Sequence, residues 1–119
     1  MVELHCHLDG SLRLSTLEEL LRQKNYQIPE NIRFYPGMGI QEALSRFRTT
    51  LSVLQEPDAV ERVTREICED AREFKHTHTE IRFAPQLHNG APVEEIVDAA
   101  ISGLDRRSNL ILCGLYGEP

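Results

Sequence analysis

Two histidines separated by one residue, His5 and His7, are the first side chains along the chain able to do chemistry together. Side chains alternate along a strand, so residues two apart share a face, about 6.6 Å apart along the backbone, and one cation can bridge them. Zinc accepts neutral imidazole nitrogens, and a pair on a stiff strand is in position before the metal arrives. Asp9 has the same parity and reaches the same cavity if the chain stays extended, while Gly10 permits a turn or the close approach of a ligand. H-x-H alone is a common spacing. Its place here gives it weight: it closes the strand predicted over Met1 to Cys6, and α/β folds gather ligand-binding groups at the C-terminal ends of their strands.

Other candidates carry less. His76-Thr77-His78 repeats the spacing at the start of the second predicted strand, the end where barrels place stability, and reads as a solvated loop. His88 follows that strand and reads as an ordinary loop histidine. Cys6, Cys68 and Cys113 are odd in number, widely spaced and without a C-x-x-C pair, so they suggest neither a disulfide framework nor a cysteine-rich zinc knuckle. Cys6 faces away from the histidines by parity and the other two lie in apolar segments, so all three read as core fillers in a reducing, cytoplasmic setting.

The elements that must position these groups follow from periodicity. After the first strand, Ser15 and Glu18 form a capping box for a helix with Leu17, Leu20 and Leu21 on its apolar face, ending near Lys24 or Asn25. Tyr26 to Gly39, rich in proline and glycine, reads as an irregular excursion. Ala43, Leu44, Phe47, Leu51 and Leu54 mark a helix that stops before Pro57. Asp58 and Glu61 suggest a second capping box, with Val60, Val63, Ile67, Ala71 and Phe74 on one face. Thr79 to Ala84 alternates as a strand, Pro92 opens a helix through Leu104, and the apolar run Leu110 to Leu115 predicts a strand buried on both faces. Strand, helices, strand, helix, strand implies an α/β fold with parallel strands and helical crossovers. Three strands are few for a doubly wound sheet and fewer than the eight of a closed barrel, so the chain is expected to be incomplete.

Composition narrows the function. The chain has 119 residues, enough for one domain or part of one. A net charge of −6 with no clustered Lys or Arg argues against nucleic acid, and no apolar run approaches the roughly 20 residues of a membrane span. Small-molecule chemistry remains.

The string Val2-Glu3-Leu4-His5-Cys6-His7-Leu8-Asp9-Gly10-Ser11-Leu12 resembles the opening signature of the adenosine deaminase family, E-L-H-x-H-L-D-G. A second family landmark, E-x-R-[FY]-[AS]-P, is matched by Glu80-Ile81-Arg82-Phe83-Ala84-Pro85. The resemblance covers nearly the whole chain and implies that residues 1–119 are the N-terminal portion of a (β/α)8 TIM barrel. It further implies zinc-dependent hydrolytic deamination of adenosine or a related 6-aminopurine nucleoside, yielding inosine and ammonia. Carried over residue by residue, His5 and His7 are similar to two zinc ligands, and Asp9, with Gly10 beside it, to the group that holds the ribose 5′-hydroxyl. Ile40, Leu44 and Phe47 match the apolar wall beside the purine, while Arg82 and Pro85 would be structural.

The family's remaining ligands and its proton-transferring glutamate and histidine are expected beyond Pro119, so no catalytic residue is assigned within this segment. The H-x-E with P-C-x-x-C pattern of the smaller deaminases is absent. Two alternatives stay open: a short, catalytically inactive binding or assembly module, and an H-x-H amidohydrolase with another substrate. Self-association through an uncovered third strand is a further expectation.

Overall fold

Alternation along one strand orients the sheet. The computed structural model describes residues 3–26 and 39–112, and the backbone only of residues 3–5, 40–44 and 47. Three strands, β1 (Glu3–His7), β2 (His78–Phe83) and β3 (Ser108–Leu112), pair in parallel in the order β1-β2-β3. In β2, Thr79, Ile81 and Phe83 are buried whereas Arg82 is exposed. One face of the sheet therefore meets the helices and the other carries polar groups.

The described residues form four helices, α1 (Leu14–Gln23), α2 (Ile40–Val53), α3 (Pro57–Glu73) and α4 (Val93–Gly103). Val60, Val63 and Ile67 of α3 bury one stripe with Ile96 and Ala100 of α4, sharing a single apolar cluster with Ile81 and Phe83. Each fully buried aliphatic side chain contributes roughly 1.5–3 kcal/mol, so this layer holds the sheet. Close approach of α3 and α4 requires Gly103, where a Cβ would stand 2.6 Å from the Glu61 carbonyl oxygen and 2.8 Å from Thr64 Cβ. On the other side of α3, Arg13 donates from Nε and Nη2 to Asp70 at 2.8–3.1 Å, and Arg62 reaches Glu19 at 2.8 Å, fastening α1 in place.

Several local expectations give way to tertiary contacts. Neither capping box forms. α1 begins at Leu14 with Arg13 as its N-cap, Ser15 lies inside the first turn, and the anchoring of Arg13 on Asp70 sets the start. α3 begins at Pro57, whose fixed φ suits the first helical position, with Glu56 as N-cap and Asp58 within the first turn. Both helices end in Schellman motifs with a left-handed residue: Asn25 (φ 58°) and Lys75 (φ 63°), closed by Tyr26 N–H on Leu21 O and His76 N–H on Ala71 O, each at 2.9 Å. Phe74, expected on the apolar face, is the C-cap of α3 and is 74% exposed, because the helix ends before the ring can turn inward.

The strand boundaries also move. β1 extends to His7, β2 starts at His78, and β3 starts at Ser108. β3 is not buried on both faces: Asn109 and Leu112 are exposed, since among the described residues its only strand neighbour is β2. Most of the Tyr26–Gly39 excursion, Cys113 and the far end of the third apolar run lie outside the described residues. No helix among the described residues is long and apolar enough to cross a membrane.

Candidate active-site face

β1 delivers His7 to the C-terminal edge of the sheet as its last residue, solvent-exposed and opposite Arg82, while the register sets His5 opposite Glu80. The two histidines occupy alternate positions of a strand paired in parallel with β2, and Glu80 and Arg82 are joined there by a 3.0 Å ion pair. The side chain of His5 lies outside the described residues. Imidazole nitrogens two residues apart on a paired strand suit zinc as two of its ligands. Among the described side chains no three His, Cys, Asp or Glu gather into a metal cluster.

Beyond His7 the chain does not stay extended. Leu8–Gly10 is a 3-10 turn, with Leu8 fully buried beneath it, so parity along the strand no longer carries Asp9. Asp9 is half-buried in that turn and Gly10 is exposed. α2 packs against the turn. Ile40 is the first residue of α2, and Leu44 and Phe47 follow at helical spacing, but their side chains lie outside the described residues.

The sequence reading missed His88. It is not an ordinary loop histidine but 1% exposed, in the segment following β2. Nδ1–H donates to the Leu54 carbonyl, which fixes the tautomer, and the ring stands edge-on to Phe83 at 5.3 Å. Burial pushes its pKa down, with the Leu54 hydrogen bond and the negative charge of Asp9 acting in the opposite sense. The geometric partners of His88 are Leu54 and Phe83. Leu54 lies 34 residues earlier in the chain, so no local spacing could have signalled it.

Cys6 and Cys68 behave as expected. Cys6 is half-buried against the apolar cluster, where burial raises its pKa, and Cys68 is buried with Sγ 3.3 Å from Ser108 Oγ. His76 and His78 occupy the opposite end of β2 and are half-buried rather than solvated, with His78 paired opposite Glu3. At that same end Arg72 joins the consecutive residues Leu104, Asp105, Arg106 and Arg107 in lining a groove, in which Arg72 pairs with Asp105 at 2.8 Å.

Comparison with known proteins agrees with this layout. The family model for adenosine deaminase matches residues 1–110. An adenosine deaminase from Clostridium acetobutylicum is 38% identical over 136 aligned positions, covering 99% of this chain and 41% of the relative. Among solved structures, an amidohydrolase from Burkholderia ambifaria with bound zinc superposes with a TM-score of 0.76 at 26% identity, covering 95% of this chain and 34% of its own. Arabidopsis ADAL complexed with GMP gives a TM-score of 0.73 at 26% identity, covering 93% and 39% respectively. The chain thus spans about two-fifths or less of the lengths it matches. Parallel strand order and helical cover agree with the N-terminal portion of a TIM barrel, and the chain belongs to the adenosine deaminase family.

Proposed function

We propose that residues 1–119 form the N-terminal portion of a barrel domain that hydrolytically deaminates adenosine or a related 6-aminopurine nucleoside, with zinc as cofactor. One observation carries the reading: in a chain of this family, the H-x-H pair ends a parallel strand at the C-terminal edge of the sheet, and the Asp9 turn follows at once. His5 and His7 would hold the metal. The chemistry zinc supplies in such a site is Lewis acidity, which brings the pKa of water from 15.7 to about 7.

The other residues bind and orient. Asp9 accepts a hydrogen bond from a ribose hydroxyl, and Gly10 lets the sugar approach the turn. Ile40, Leu44 and Phe47, on successive turns of α2, offer an apolar wall to the base and exclude water from it. Holding the purine at such a wall converts a bimolecular encounter into a positioned one, the kind of gain that orientation alone can supply. The bound zinc of the Burkholderia amidohydrolase and the GMP of Arabidopsis ADAL support a metal and a purine partner.

The test is ammonia release by the protein at its encoded length, loaded with zinc, from adenosine, deoxyadenosine, a purine nucleotide and their N6-methylated forms. Turnover of at least one, lost on chelation and restored by zinc, is expected. A zinc-loaded, folded protein inert toward all of them would end the proposal.

A further inference from the structure

The C-terminal end of α2 is bound to the segment after β2 by a set of hydrogen bonds centred on Gln55. Its Nε2 donates to Leu51 O at 2.7 Å, within the last turn of α2, and to Leu87 O at 3.1 Å across the gap. Its Oε1 accepts from Asn89 N–H at 2.7 Å, and its backbone carbonyl accepts from Gly90 N–H at 2.8 Å. His88 adds the bond to Leu54 O, a carbonyl that the end of α2 leaves without a helical partner. A Cβ at Gly90 would collide with the Gln55 carbonyl, standing 2.7 Å from its carbon.

We infer that Gln55, His88 and Gly90 are positioning residues that set α2, and with it the Ile40, Leu44 and Phe47 positions, against the end of β1 at His7 and the turn that carries Asp9, so that they govern how the base is held. The inference rests on the purine reading above. Three features carry it. Gln55 uses one amide as donor and acceptor at once, a combination neither Glu nor Leu can supply. His88 is anchored on β2 through Phe83 and on α2 through Leu54, so its ring spans the two elements. Lastly, α2 itself packs against the turn Leu8–Gly10, so a displacement of its C-terminal end changes its distance from Asp9. The α3 and α4 stripes that build the helical layer make none of these hydrogen bonds.

Gly90→Ala, Gln55→Glu, His88→Leu and His88→Asn test it in the zinc-loaded protein at its encoded length. His88→Asn keeps an N–H donor near the position of Nδ1 and guards against a variant that fails to fold. For Gly90→Ala, Gln55→Glu and His88→Leu, KM for the nucleoside is expected to rise about tenfold, the scale of a small mismatch in an apolar pocket, with kcat changed by less than about threefold. Backbone amides of α2 should exchange with deuterium faster while those of α3 and α4 do not. His88→Asn should recover most of the wild-type KM.

A variant that loses stability and kcat at unchanged KM would show a structural role only and overturn the inference, as would unchanged exchange in α2. Should the wild type turn over none of the purines, the proposed function falls and the assignment to base binding falls with it. The exchange measurement then still decides whether the clamp holds α2.

Discussion

Two triplets, His5-Cys6-His7 and His76-Thr77-His78, have the same spacing and opposite surroundings. The first closes β1 at the C-terminal edge of the sheet, followed at once by the turn that holds Asp9, whose negative charge acts on the buried His88. The second leads from the Schellman turn of α3 into β2 at the other edge. Here Nδ1 of His76 is buried without a hydrogen-bond partner among the described residues. Strand direction separates them, since a parallel sheet with helical crossovers puts connecting turns of one kind at each edge. Spacing says only that two rings can share a metal. The edge on which they stand decides whether a substrate can reach them.

The comparison breaks most sharply at the metal. His5→Ala or His7→Ala is expected to lower deaminase activity at least about 100-fold with loss of bound zinc, since the metal contributes several kcal/mol to such chemistry. His76→Ala and His78→Ala should stay within about threefold of wild type, as changes remote from a site do not alter transition-state binding. Ammonia release and metal content on all four variants decide it. Equal losses at both triplets would abolish the distinction between the edges.

A smaller effect comes from the buried ring. Burial depresses the pKa of His88, so the folded state stays neutral where the unfolded chain takes up a proton. Stability is then full above the unfolded pKa of about 6.5 and falls as the pH drops below it, by at most about 1.4 kcal/mol per pH unit until the folded pKa is reached. Urea midpoints between pH 7 and pH 5 should show a shallower decline in His88→Asn than in the wild type. An unchanged decline would mean that the acid sensitivity arises elsewhere.

The smallest effect sharpens the structural character of the opposite edge. Lys75 holds a left-handed conformation that costs a side chain roughly 1–2 kcal/mol, whereas glycine adopts it freely at some entropic cost to folding. Lys75→Gly should raise stability by about 0.5 kcal/mol, read as a higher urea midpoint at unchanged activity. A lower midpoint would show that the Lys75 side chain contributes contacts outweighing that strain.

Much of this was legible along the chain. Period-2 alternation over Thr79, Ile81 and Phe83 identified β2, and the 3.6-residue recurrence of Val60, Val63, Ile67 and Ala71 identified α3 and its buried stripe. Strand order followed from the alternation of strands with helices. The caps did not follow: Ser15 and Asp58 had the local chemistry, but a cap bond contributes about 1 kcal/mol, and the anchoring of Arg13 on Asp70 and the fixed φ of Pro57 shifted both starts.

Periodicity and two short signatures were thus enough for the parallel α/β layout, the family, and the edge on which His5 and His7 stand, because these depend on residues close in sequence. Tertiary structure alone decided the 3-10 turn that takes Asp9 off the strand line, the exposure of Phe74, the arginine groove, and the clamp of His88 and Gln55 on the segment after β2. The clamp depends on partners brought together from distant parts of the chain, as Leu54 and His88 are across 34 residues. The geometry of such a contact is set by how whole elements pack, and no local pattern records it.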